Sequence, residues 1–307
     1  MLKINTLTAI ASIQDLGRVG YLGLGIGKCG AMDRLSLRLG NALLGNNDNA
    51  PALEVTLGGL TATFSQDTTF CLMGAYIEAT LDDTVVITGY RYFAQAGQTL
   101  TIKRIIKGMH AYLCVQSGFD VASELGSAST DVKTGLGGVG RAVQSGDELP
   151  YQAGTQMSEM GAPGPYDFDQ FTTIHVIKSS EYDKIIKEQD NLSAQTYTLS
   201  PNSNRMGYRL EGAPLVFDAI EMKSHGVDFG MIQVPPDGKP IVLMADAQTT
   251  GGYPKIGAVI EADLGRLAQL RFGGQVQFKW VDMDFAIDSL TKQNAHIRQV
   301  AYMAKRF

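Results

Sequence analysis

What most limits the fold of this chain is a long succession of short apolar runs punctuated by turn residues. Across residues 52–143, LEVTL, LTATF, TTFCLM, YIEATL, TVVIT, LTIKR and HAYLCV follow one another with Gly, Asp-Asp or Gly-Gln between them. Runs this short suit strands better than helices, and the gaps leave no room for crossover helices. An antiparallel sandwich or barrel is therefore expected, not a series of βαβ units. The 35 glycines, most of them between apolar runs, supply the turns that such a fold needs.

The second half repeats the texture. Strands are expected at 171–178 (FTTIHVIK), 196–199, 231–234, 240–245, 255–260 and 275–280. Helical periodicity is confined to a few places. One is 31–44, where Met32, Leu35, Leu39, Ala42 and Leu43 recur on one face before the Gly45-Asn46 stop. Others are 180–189, 261–270, and a polar C-terminal helix over 283–305 packing Phe285, Ile287, Leu290 and Ile297. The Pro/Gly-rich stretch PYQAGTQMSEMGAPGPYDFD has the make-up of a boundary. The expectation is a mostly β chain with a few helices (α+β), in two lobes over 1–155 and 156–307.

A net charge of -5 argues against a nucleic-acid partner, which calls for a basic face. No apolar run approaches the roughly 20 residues that span a bilayer, and the N-terminus lacks an apolar leader, so cytoplasmic residence is the expectation. Three scattered cysteines fit neither a disulfide framework nor a zinc site. Cys71 and Cys114 sit in apolar runs and are expected in the core, whereas Cys29 lies in a glycine-rich setting.

Two stretches satisfy G-x-G-x-x-G, at Gly25–Gly30 and Gly135–Gly140. The first has no strand directly ahead and the second leads into no helix, so a dinucleotide site is rejected. Gly27-Lys28 resembles the end of a P-loop, but Leu22 and Cys29 stand where a glycine and a hydroxyl are required. Phosphate could still be cradled by glycine-loop N–H groups with Lys28 or Arg18. The segment 118–146, glycine- and serine-rich, is long for a structureless loop, and such loops often carry function.

The polar loops hold the remaining candidates. The run IQVPPDGKPIVLMADAQTTGGYP delivers Asp246, Gln248, Thr249, Thr250 and Tyr253 from an apolar strand onto a glycine-kinked loop. His225 lies in a loop just ahead of it and is a candidate acid or base. Asn204, Arg205 and Tyr208 form a third cluster, suited to a carboxylate or phosphate. The four histidines have no metal-ligand spacing, so no dedicated metal site is indicated. A plain turn or hairpin explains each cluster about as well.

Taken together, QDLGRVGY, CGAMD, GNALLGN, ALEVTLGG, GSASTDVKTGLGG, SNRMGYRLEG and the IQVPPDGKP run resemble one family. This is the biotin-dependent carboxyltransferase-like family. It includes the C subunit of bacterial 5-oxoprolinase, the KipA protein and the allophanate-hydrolase-subunit-2 domain within urea carboxylase. Some relatives carry Arg where this chain has Ala247 and Ser where it has Cys29. The resemblance implies cyclophilin-like β-barrel lobes sharing one pocket. It implies ATP, with Mg2+, as co-substrate, and partnership with the B and A subunits of the complex, which are KipI-like and LamB/YcsF-like. On that reading Arg205 with Asn204 clamps a carboxylate or phosphate, and Asp15, Asp33 and Asp246 serve in metal or proton work. Gln248, Thr249, Thr250 and Tyr253 line the pocket. Two alternatives stand beside it. One is carboxyl transfer from biotin carried on another protein, since this chain has no Met-Lys-Met. The other is a KipA-like protein that binds a kinase inhibitor.

Overall fold

The computed structural model describes residues 1–169, 171–186, 192–217 and 223–306. The chain divides into two compact units. The first comprises Met1–Arg18, Cys29–Asp167 and Gln293–Phe307, and the second Val19–Lys28 and Phe168–Lys292. The units therefore exchange segments relative to the 1–155 and 156–307 lobes. Residues 19–28 count with the second unit and 293–307 with the first.

The first unit carries β1 (Leu2–Leu7), β2 (Ile10–Gln14), α1 (Arg34–Leu43), β3 (Ala52–Thr56), β4 (Leu60–Phe64), β5 (Thr68–Leu81), β6 (Thr84–Val86), β7 (Arg91–Ala94), β8 (Thr99–Val115) and β9 (Glu148–Leu149). They form one nine-stranded sheet with the path β2-β3-β8-β4-β1-β9, and β5 joins β6, β7 and β8. Runs that read as separate strands merge. TTFCLM and YIEATL are one 14-residue strand, and LTIKR and HAYLCV one of 17 residues. The two long strands pair from Phe70↔Val115 to Leu81↔Leu100, and three register shifts let so long a ribbon bend.

The period-2 alternation of these strands decides which core each residue joins. Phe70 and Leu72 of β5, with Leu113 and Val115 of β8, face a core shared with Leu2, Ile4, Leu53 and Phe64. Their neighbours Cys71, Met73, Tyr112 and Cys114 face the other way, onto Leu37, Leu39 and Leu43 of α1. Both faces are covered, so residues 68–75 are buried without interruption. Cys71 and Cys114 pair across the strands at 0% exposure, as expected of core thiols. Its hydrogen bond with Cys114, and then burial, push the Cys71 thiol well above its ordinary pKa.

Helix α1 approaches the sheet unusually closely. A Cβ on Gly40 would lie 2.6 Å from the Cys114 sulfur, which is why a glycine stands in a helix interior. Arg91 closes this layer from the side. Its Nε donates to Leu43 O at the end of α1 (2.6 Å), and its Nη2 donates to Ala304 O (3.2 Å), the last residue of α4 (Met283–Ala304).

The second unit holds a closed barrel of β10 (Phe171–Lys178), β17 (Lys255–Val259), β14 (Met231–Gln233), β15 (Ile241–Leu243), β12 (Gly207–Glu211), β11 (Thr196–Leu199) and β18 (Gln275–Trp280), in that order. Closure comes from the parallel pairing of β10 with β18, Phe171↔Gln275 through Val176↔Trp280. A separate ribbon pairs β13 (His225–Gly226) with β16 (Thr250–Gly251). Two helices, α2 (Tyr182–Ile185) and α3 (Glu261–Ala268), complete the unit. The chain is thus mostly β with a few helices, one lobe a closed barrel and the other a half-barrel sheet.

The C-terminal helix is a correction in detail. Phe285 and Ile287 are 40% and 57% exposed, whereas the expected Ile297 is buried, together with Val300 and Ala304. Residues 297, 300 and 304 keep to one face of a 3.6-residue period, whereas Phe285 and Ile287, two residues apart, lie on nearly opposite sides of it. Among the described residues no helix is long and apolar enough to cross a membrane.

Candidate functional site

In the second unit the polar side chains gather on the loops leaving β15 and entering β12. Asn204 and Gly207 exchange two main-chain hydrogen bonds (3.1 and 3.2 Å), and Asn204 Oδ1 accepts from Met206 N, closing a tight turn. That turn presents Arg205 to the residues after β15. Asp246 N donates to Arg205 O at 2.8 Å, while Arg205 Nε and Nη2 each donate to one Asp246 carboxylate oxygen at 2.7 Å. The fork-to-fork geometry is the strongest form an ion pair takes, and it fixes both rotamers. The expected clamp is therefore already engaged by its neighbour, with both side chains about one-fifth exposed.

Next to this pair the ribbon β13–β16 aligns His225 with Gly251 and Gly226 with Thr250, and Val227 N donates to Thr249 O. His225 Nδ1 contacts Lys223 O (3.2 Å), and its Nε2 is enclosed with no hydrogen-bond partner among the described residues. Lys28, from the segment that joins this unit, forms an ion pair with Asp228. Gln248 and Thr250 are exposed and Thr249 half-buried. Lys28, Asn204, Arg205, His225, Asp246 and the 248–250 loop thus belong to one unit, and the geometry joins Arg205 to Asp246 and His225 to the 250–251 strand.

One expected pocket residue lies elsewhere. Tyr208 is 1% exposed, its hydroxyl donating to Ala268 O at 2.9 Å, so it belongs to the barrel core. An aromatic on a strand that alternates inward is a core residue whatever its loop neighbours suggest. Tyr253 borders a depression of about 690 Å³ with Arg209, Glu211, Asp237 and Lys239.

The aspartates expected to do chemistry in the N-terminal half sit in the first unit, fully bonded. Asp15 accepts from Gly17 N, Ala128 N, Ser127 Oγ and Ser129 Oγ, at 2.5 to 2.8 Å. It knots the start of the serine-rich loop to the end of β2. Asp33 is the N-cap of α1, accepting from Ser36 N (3.0 Å) and Ser36 Oγ (2.5 Å), and Tyr166 OH adds a third bond. Its own N–H donates to the Tyr112 hydroxyl, which donates to Glu54 Oε2. Burial first, then the Glu54 and Asp33 charges, pushes Tyr112 well above the usual tyrosine pKa. Both aspartates are structural ties in this arrangement. Arg18, 1% exposed, spends Nη2 on Ser129 O.

Sequence reasoning did not single out Asp228, the partner of Lys28, because a lone Asp before an aromatic carries no motif. Ser127 and Ser129 lie in the serine-rich loop marked as functional, but their role as ligands of Asp15 has no signature in spacing.

Residues 24–280 match the family described as Carboxyltransferase domain, subdomain A and B. The chain belongs to this family. Among its relatives, the 5-oxoprolinase C subunit of Haemophilus influenzae is 47% identical over 305 residues, covering 98% of this chain and 97% of that protein. The protein of the same name in Escherichia coli is 44% identical, with 98% of both chains covered. Among solved structures, the urea amidolyase of K. lactis superposes with a TM-score of 0.92 at 27% identity, over 97% of this chain but 20% of that one. The carboxyltransferase fold is thus the chain's own, and near-full-length likeness is to the oxoprolinase proteins.

Proposed function

We propose that this chain is the C subunit of an ATP-dependent 5-oxoprolinase. The observation that carries the reading is 47% identity spanning 97% of a protein so named. The chemistry explains why ATP is needed. A lactam carbonyl is a poor electrophile, so the γ-phosphoryl group is transferred to the lactam oxygen, releasing ADP. Water then adds to the activated carbon and the ring C–N bond breaks, leaving an acyl phosphate. A second water releases phosphate and L-glutamate. Such transfer calls for cationic and N–H donors at the moving phosphoryl group and a fixed carboxylate or imidazole to handle protons.

In this chain the residues suited to those tasks are Asp246, oriented by Arg205, and His225, with the Thr249 and Thr250 loop beside them. Lys28 is a further cation whose ion pair with Asp228 would have to open for it to meet phosphate. The reading includes the A and B subunits as partners and a cytoplasmic setting. Its test is reconstitution with those partners, followed by assay of 5-oxoproline-dependent ATP hydrolysis. Turnover that Asp246→Asn or His225→Gln lowers at least tenfold, with folding intact, supports it. Absence of lactam-dependent hydrolysis with every set of partners removes it.

A second reading has its own support in the family description and the urea amidolyase superposition: carboxyl transfer using biotin carried on another protein. It predicts decarboxylation of free carboxybiotin by the chain, accelerated by an amide acceptor, with no dependence on ATP.

A further inference from the structure

The ribbon that carries His225 stands apart from the barrel sheet. Among the described residues, β13 and β16 pair with each other, His225 with Gly251 and Gly226 with Thr250, and neither joins the barrel strands. Val227, the next residue, packs with Leu243, Ala247 and Met231 in a small apolar cluster. Apolar contact is non-directional and lets so short a ribbon slide. A directional tie is needed to fix where His225 sits, and β14 supplies one.

Gln233, the last residue of β14, is 2% exposed. Its Nε2 donates to Tyr253 O (3.2 Å), and the N–H of the following Val234 donates to Pro254 O (3.1 Å). The end of a barrel strand thus holds the chain just past β16. The same amide lies against Gly251. A Cβ there would stand 2.5 Å from Gln233 Nε2 and 3.3 Å from its Cδ and Oε1, whereas one on Gly252 would meet nothing within 4 Å. A methyl at 251 would have to displace the amide, and with it the bond to Tyr253 O. Gly251 is in turn the residue opposite His225. At His225 itself, Lys223 O lies 3.2 Å from Nδ1. A carbonyl only accepts, so Nδ1 carries the proton of the neutral ring and Nε2 its lone pair.

From this chain of contacts we infer that Gln233 is a positioning residue: through Gly251 and Tyr253 O it sets the register of the ribbon and so aims the Nε2 lone pair of His225. What that base does rests on the oxoprolinase reading. His225 Nε2 takes a proton from water as the water oxygen bonds the activated lactam carbon, and hands it to the ring nitrogen as the C–N bond breaks. Gln233 acts through His225, so its loss displaces the base without removing a substrate contact. A misplacement of about 1 Å can lower a rate by ~100-fold.

Two measurements test it, one of them independent of the reaction. In the full chain alone, the imidazole nitrogens are followed by nitrogen–proton NMR above about pH 8, where an ordinary histidine is neutral. His225→Gln assigns the His225 signals. The parent chain is expected to show the Nδ1–H tautomer, and Gln233→Ala a mixture of the two. In the reconstituted complex, Gln233→Ala is expected to lower kcat about tenfold and to leave the KM for 5-oxoproline within about twofold. In a His225→Gln background the same substitution should lower kcat no further, because its effect runs through the ring. Should Gln233→Ala fail to fold, Gln233→Met, which fills the space but offers no N–H, is read in the same way. A parent chain in the Nε2–H form, or a tautomer unmoved by the substitution, overturns the inference. So does an unchanged kcat, or a loss that adds in full to that of His225→Gln. If no set of partners gives lactam-dependent ATP hydrolysis, the oxoprolinase reading falls, and the tautomer alone decides whether Gln233 places His225.

Discussion

The Arg205–Asp246 pair is held at both levels of the chain, since the main chain of Asp246 bonds Arg205 O and the two side chains meet in a fork. Exposed single-contact pairs are worth about 0–1 kcal/mol, but a bidentate pair on a locked turn, about one-fifth exposed, belongs above that range. A double-mutant cycle of Arg205→Ala and Asp246→Ala in urea unfolding is expected to give a coupling of about 1–2 kcal/mol. Strictly additive losses would show the fork to be ornamental. Tyr112 gives a second residue-scale prediction. Its pKa is raised in the folded chain, so its contribution to stability is fully present below the unfolded tyrosine pKa near 10 and is lost as pH rises through the higher folded value. Tyr112→Phe is expected to lower stability at pH 7, by losing the bonds to Glu54 and Asp33, and to flatten the decline above about pH 10. An alkaline limb identical to that of the parent chain would refute this.

At the scale of elements, α1 shows how a glycine can be a packing residue. Ala at position 40 would gain about 1 kcal/mol of helix propensity. Its methyl would also stand 2.6 Å from Cys114 Sγ and 3.4 Å from Met73 Cβ, in a layer covered on both sides. Overpacking costs typically about 1–3 kcal/mol, so Gly40→Ala is expected to lose net stability by up to about 2 kcal/mol. Adding Cys114→Ala removes the sulfur that the methyl meets. The double variant should then be more stable than the sum of the two singles, and thermal unfolding of the four chains checks it. Purely additive shifts would mean that the helix simply rides outward.

The whole molecule shows what its sequence made legible. Strands and helices were readable because alternation and 3.6-residue periodicity are local, and β18 falls on the expected residues 275–280. The long-range pairings were not, since nothing local says that β10 runs parallel to β18 or that TTFCLM continues into YIEATL. The same holds for the polar residues. Arg205 and Asp246 both stand out in the sequence, but their mutual fork depends on β12 lying beside β15, and nothing near Asp15 in sequence points to its serine ligands. The swap of segments between units was equally invisible, and it yields the last prediction. Residues 293–307 follow the second unit in sequence but serve the first, where Ile297 and Val300 join Leu37, Leu39 and Cys114 in one cluster. Ala304 O also accepts from Arg91 Nη2. Ending the chain after Lys292 would expose that cluster and leave a buried guanidinium N–H unpaired, at a cost of several kcal/mol. In hydrogen exchange, the loss of protection should fall on α1, β5, β7 and β8, while the barrel amides of β14, β15 and β17 keep theirs. Loss centred on the barrel instead would mean that the C-terminal helix belongs energetically to the lobe that precedes it.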